Sequence, residues 1–158
     1  MTPYLAPGAY LPHETPMLLL ESVLTVSDSS ARCRVTVSPQ GVLAPFLTAE
    51  GDLPAWYAME LMAQTVGVWS GWHRTTRGEP GIALGMILGV RDLQCQHSVF
   101  ARGSVLDIDV TLLLQDEKFG SFDAVIHADG ASLARGRINT FQPDNAELNQ
   151  LFSQGAST

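Results

Sequence analysis

The stretch from Pro54 to Trp72 constrains the fold of this chain more than any other. It reads as one apolar helix whose only charged side chain is Glu60. Asp52 and Pro54 supply a start signal, an acid near the cap and a proline in the first turn. Ala63, Gly67 and Gly71 recur every fourth residue and form a small-residue ridge along one face. A helix-interior Gly costs about 1 kcal/mol relative to Ala, so the ridge calls for a closely packed sheet or helix. Glu60 and Gln64 lie one turn apart beside it. A carboxylate in such apolar surroundings needs a partner or a task. The stretch is long enough to raise the question of a membrane span. Glu60, Gln64, two glycines and Ser70 interrupt it, so none is expected.

The rest of the chain reads as a soluble domain. Its 158 residues suffice for one sizeable core. Charged residues make up only 16%, against a usual share of about 25%. So little polar surface favours an oligomer. A net charge of −7 argues against nucleic acid as a main partner. Cys33 and Cys95 fit reduced strand or core residues better than a disulfide framework. The start, MTPYLAPG, has neither a basic region nor a continuous apolar core, so no signal peptide is expected and the cytoplasm is the default compartment.

Residues 1–16 carry four prolines and form an irregular lead-in with at most a short helical turn. Met17 to Val26 reads as a strand with Leu18, Leu20, Leu24 and Val26 on one face. Ala31 to Val37 alternates, Cys33, Val35 and Val37 pointing inward, and the two strands form a hairpin. Residues 39–53 form a loop before the helix, and His73 to Gly81 a polar loop after it. Ile82 to Val90 suits a strand buried on both faces, continued or partnered by 91–100. Leu106 to Leu114 alternates as a half-buried strand. Phe122 to His127 follows, Asp129-Gly130 signals a hairpin, and Leu133 to Phe141 is the last strand. The pattern is α+β, with a sheet that must wrap one long apolar helix to bury it. Residues 1–143 form a single domain, and 144–158 a polar tail with room for a short helix around Ala146 to Phe152.

Three stretches resemble the hotdog-fold 3-hydroxyacyl-ACP dehydratases, where ACP is acyl carrier protein. Residues 11–23, LPHETPMLLLESV, are similar to the N-terminal signature of that family. Residues 54–64, PAWYAMELMAQ, are similar to its central helix, an acid followed by a Met-Ala-Gln segment. Residues 89–93 and 100–110 are similar to the strands that follow. The similarity runs in order through most of residues 9–142 and is nearest to the ApeP-like proteins of aryl-polyene biosynthesis. The resemblance implies a hotdog fold, a curved antiparallel sheet around one helix, with two subunits side by side. It implies loss of water from a 3-hydroxyacyl thioester, with a helix acid from one subunit and a loop His from the other. No cofactor is implied; the substrate rides on the phosphopantetheine of ACP or CoA. Glu60 matches the acid and Gln64 the Gln one turn later. Ala55 falls at the helix-start position whose N–H polarises the thioester carbonyl, and Trp56 follows it as a substrate-contact candidate.

The departure from the family is the loop at 45–54, PFLTAEGDLP, which is short and has no His. His13 matches the N-terminal signature and stands only as an unconventional base. His73, His97 and His127 lack metal-ligand spacing, and no metal site is expected. The chain thus looks like half a site, completed by a second hotdog subunit that brings the His. Its expected partners are that subunit, or a second copy of itself, and an acyl carrier protein. Two other readings share the fold: an acyl thioesterase, and a non-catalytic subunit that shapes an acyl tunnel.

Overall fold

The computed structural model describes residues 4–11, 17–78, 87–116 and 119–141. Its strands are β1 (Ser22–Val26), β2 (Ser30–Thr36), β3 (Leu53–Pro54), β4 (Ile87–Cys95), β5 (Val99–Phe100), β6 (Val105–Gln115), β7 (Phe119–Ala128) and β8 (Ala131–Phe141). The helix α1 spans Ala58–Thr76 and follows a 3-10 turn at Ala55–Tyr57. Six strands form one antiparallel sheet in the order β1-β2-β6-β7-β8-β4, and β3 pairs with β5 apart from it.

The helix touches all six strands of that sheet, so the sheet wraps it as the apolar composition requires. Leu61, Met62, Val66 and Val68 of α1 are fully buried. They meet an inward row that includes Cys33, Val35, Leu106, Ile108, Ile126 and Ile138. Burying each such aliphatic side chain contributes about 1.5–3 kcal/mol. Trp69 sets its ring edge-on to Phe122, with centroids 5.2 Å apart. Asp129 and Gly130 both adopt positive φ, 51° and 78°, as the tight β7–β8 turn demands.

The small ridge packs differently from the expectation. A Cβ added at Gly71 would strike the Tyr10 carbonyl oxygen, and one at Gly67 would lie 2.6 Å from Leu11 Cδ2. The close neighbour is therefore the N-terminal lead-in, laid across the helix, and not the sheet. A short helical turn at Pro7–Ala9 begins that crossing.

Other boundaries shift for local reasons. The first strand starts at Ser22, five residues later than expected, because Met17 and Leu19 bond to a helix side chain and not to a ladder. A bulge between Val23 and Thr25 changes its phase, so Val23 and Val26 are buried. Asp52 does not cap the helix; its carboxylate accepts the Arg102 N–H at 2.8 Å. The helix runs on through His73 to Thr76, residues read from sequence as loop. Leu114, expected inside, is 73% exposed beyond a bulge between Leu112 and Leu114. Most of the run from Ile82 and all of the tail from 144 lie outside the described residues, and β4 is Ile87–Cys95. No described helix is long and apolar enough to cross a membrane.

Candidate active site

Side chains one turn apart share a helix face, and here they share hydrogen bonds. Gln64 is 1% exposed. Its Oε1 accepts the Leu19 N–H at 2.9 Å, which fixes the orientation of the amide. Its Nε2 must then face the other way, where it donates to the Met17 carbonyl at 2.8 Å and to Glu60 Oε1 at 3.0 Å. The segment before β1 and the helix are thus joined beside the one acid on α1.

Glu60 is half-buried, and exposed apolar side chains stand beside it. Trp56 stands one turn before it, 70% exposed, and Met59 is 49% exposed. The Trp56 ring lies 6.0 Å from that of Tyr57, which in turn lies 5.3 Å from Phe46. An exposed apolar patch around an acid is the kind of surface that meets a ligand or a partner.

The helix start departs from its expected role at Ala55. Its N–H donates to the Ser98 carbonyl at 2.9 Å, extending the pairing of Leu53 with Phe100 and Pro54 with Val99. The Cys95 thiol lies 3.9 Å from the Ala55 carbonyl oxygen. The Ala55 amide is thereby engaged, and the next amide in the turn belongs to Trp56.

The other imidazoles lie elsewhere. His73 is in the last turn of α1, its Nε2 2.9 Å from the Ser27 carbonyl and its ring between Trp69 and Trp72. At 1.5 Å per residue, that is roughly 20 Å along the helix from Glu60. His127 meets Asp109 at 2.6 Å on β7 and β6. His97 is exposed on the turn between β4 and β5, beside Ser98. His13 lies outside the described residues. Among the described residues, no three His, Cys, Asp or Glu side chains stand where they could hold a metal ion. Sequence reasoning missed the Met17 carbonyl, the Leu19 N–H and the Ser98 carbonyl. All three are backbone groups, which residue type does not reveal.

Asp109 and Cys33, both on the sheet, are among the groups whose titration is shifted. Burial opposes the charge on Asp109, yet hydrogen bonds from Arg32 and His127 outweigh it and hold its carboxyl below the usual range. Burial pushes the Cys33 thiol up to about 12. Both cysteines are free, with Cys33 buried and Cys95 exposed.

Three comparisons bear on this arrangement. The dehydratase heterocomplex ApeI:P from Xenorhabdus doucetiae contains a chain 55% identical to this one, covering 94% of this chain and 98% of that chain, with a TM-score of 0.87. The phenylacetic acid degradation protein PaaI of Thermus thermophilus, in a mutant form, is 16% identical over 77% of this chain and 92% of its own, TM-score 0.53. The protein smu.793 of Streptococcus mutans, bound to acetyl CoA, is 13% identical over 77% and 86%, TM-score 0.56. The last two show the hotdog fold alone. Comparison with curated proteins gives no match. The family model for ApeP-like proteins, described as ApeP dehydratase, matches residues 5–153. With that match over nearly the whole length, this chain belongs to the ApeP-like dehydratase family.

Proposed function

We propose that this chain is the acid-bearing subunit of a two-subunit hotdog dehydratase. Its substrate is a 3-hydroxyacyl thioester on the phosphopantetheine of an acyl carrier protein or CoA, and its product the trans-2-enoyl thioester. One observation carries the reading. The only charged side chain between Pro54 and Trp72, Glu60, lies beside the exposed Trp56 and Met59 and is bonded by a buried Gln64.

In the reaction, a base removes the C2 proton and the C3–O bond breaks. The C–H electron pair becomes the C2=C3 double bond, and the hydroxyl leaves as water with a proton from Glu60. Negative charge grows on the thioester oxygen meanwhile. The Trp56 N–H, in the 3-10 turn that leads into α1 and near its positive end, is suited to receive it. The Ala55 amide would serve only if it released Ser98. The base is an imidazole of a second hotdog subunit, because the loop before the helix has none. The heteromeric assembly of the 55%-identical relative supports that division.

The test is to incubate the chain, alone and co-purified with a second hotdog protein, with a 3-hydroxyacyl-pantetheine and a saturated acyl-pantetheine. The complex is expected to form enoyl product with its thioester intact. The chain alone is expected to be nearly inactive. Free thiol from both substrates without enoyl product would establish the thioesterase instead. Robust dehydration by the pure chain would return the base to this chain, with His13 the first residue to replace.

A further inference from the structure

On the outer face of the sheet, three arginines each meet an aspartate of the neighbouring strand, and one of the three pairs is incomplete. Arg34 donates through Nε and Nη2 to the two carboxylate oxygens of Asp107, at 2.7 and 3.1 Å. Arg32 closes the same fork on Asp109. Arg137 of β8 stands in register with Asp123 of β7, yet only its Nη2 reaches the carboxylate, at 3.2 Å. Its Nε is buried and, among the described residues, lacks an acceptor. An unpaired buried donor is costly, so it marks a place where an acceptor is wanted.

Beside the open fork lies a groove of about 470 Å³. Ala124, Ile126, Ala134 and Ile138 turn inward and are buried, so Val125, Arg135 and Arg137 face away from α1. Arg135 is exposed and, among the described residues, makes no hydrogen bond or ion pair. Two residues apart on one strand, the two guanidiniums share a face and can converge on one ligand. Thr111 and Gln94 add a hydroxyl and an amide to the groove wall. Asp92 and Asp123 also line it and oppose an anion. Arg91, in register with Arg137, brings the arginines to three against those two acids. The local balance is therefore positive, in a chain whose net charge is −7.

We propose that this groove binds a phosphate group, seated on Arg137 Nε and the Arg135 guanidinium. A carboxylate offers two coplanar oxygens, which a single fork fills, as at Asp107 and Asp109. A phosphate spreads its oxygens in three dimensions, so it accepts from Arg137 Nε, from Arg135 and from Thr111 or Gln94 together. Asp123 keeps its bond from Arg137 Nη2. The groove is roomier than the ion itself, so it takes a phosphate monoester as well as free phosphate. The site lies across the sheet from α1 and stands apart from the dehydration reaction.

The test is an NMR titration of the full chain with inorganic phosphate, glycerol 3-phosphate and acetate, following the arginine Nε–H signals. Either phosphate is expected to give saturable shifts at Arg137 and Arg135, and acetate none that saturate. R137K keeps the charge and loses the fork; R135Q loses the second guanidinium. Each should weaken phosphate binding about fivefold or more. R34Q removes a charge from a closed fork on the same face and should change binding less than about twofold. Arg135 and Arg34 are exposed, so R135Q and R34Q are expected to fold. Tighter binding of glycerol 3-phosphate assigns the site to an ester, and equal binding assigns it to the free ion. Saturation by acetate at the same concentration, no saturation by either phosphate, or equal losses in R34Q and R137K would overturn the site and leave only diffuse attraction to the arginines.

Discussion

Gln64 Nε2 lies 3.0 Å from Glu60 Oε1, and the bond from Leu19 N–H to Gln64 Oε1 permits the amide no other orientation. The acid is thus positioned from the segment just before β1, through a side chain that is itself buried.

Replacing Gln64 separates its two duties. Q64L leaves the Met17 carbonyl and the Leu19 N–H without their partner. Each orphaned group costs about 1–3 kcal/mol, so thermal unfolding should show a clear loss of stability. Q64E keeps an acceptor for Leu19 but turns a carboxylate toward Glu60. It should lower kcat of the complex by about tenfold or more, or 1.4 kcal/mol in barrier, with a smaller change in KM. Normal kcat in Q64E would deny Gln64 a positioning role.

The glycine ridge offers a graded test. At Gly71 an added methyl meets the backbone of Tyr10, which has little freedom to retreat. At Gly67 it meets only the tip of Leu11. G71A should cost about 1–3 kcal/mol and lower Tm by several degrees, while G67A should cost less. Equal effects in calorimetry would contradict the packing of the lead-in across the helix.

These particulars show what was legible in the sequence. The apolar run with its single acid required a wrapped helix, and Cys33, Val35, Leu106 and Ile108 are inward as their alternation indicated. The spacing of Gly67 and Gly71 announced a close contact but not its identity, because a ridge is silent about what crosses it. The phase slips at Val23 and Leu114 come from bulges, which depend on the facing strand. At the site, Glu60 and Gln64 were legible as types at a spacing. The engagement of Ala55 by Ser98 was not, since it follows from the β3–β5 pairing.

Acid should weaken the sheet through Asp109. Its carboxyl is held below its ordinary value of 3.8 by Arg32 and His127, so the unfolded chain takes up a proton first as pH falls. The stability from this cluster is therefore present above that value and lost as pH drops from it through the lower folded value. D109N should remove part of the dependence below about pH 4, read from unfolding curves at several pH values. The effect should be modest, because the Arg32 side chain is 44% exposed and solvent screens the pair. An identical acid dependence in D109N would contradict the assignment.

Thiol reactivity should divide the two cysteines. Cys33 is buried with its thiol pushed up to about 12, and Cys95 is exposed. One thiol should react with a disulfide reagent in the native protein and the second only on unfolding. Because the folded thiol holds its proton above the ordinary 9.0, Cys33 should also cost stability as pH rises from about 9 toward 12. Two equally fast thiols at neutral pH would contradict the burial of Cys33.

In the proposed reaction, Glu60 donates the proton to the leaving hydroxyl. The most direct measurement is single-turnover formation of the enoyl thioester by the complex carrying E60Q, beside the wild type. E60Q keeps the shape of the side chain and removes the acid. A loss of about a hundredfold or more in the chemical step is expected, with assembly and Tm unchanged. Enoyl product forming at the wild-type rate would contradict it and leave this chain a structural role.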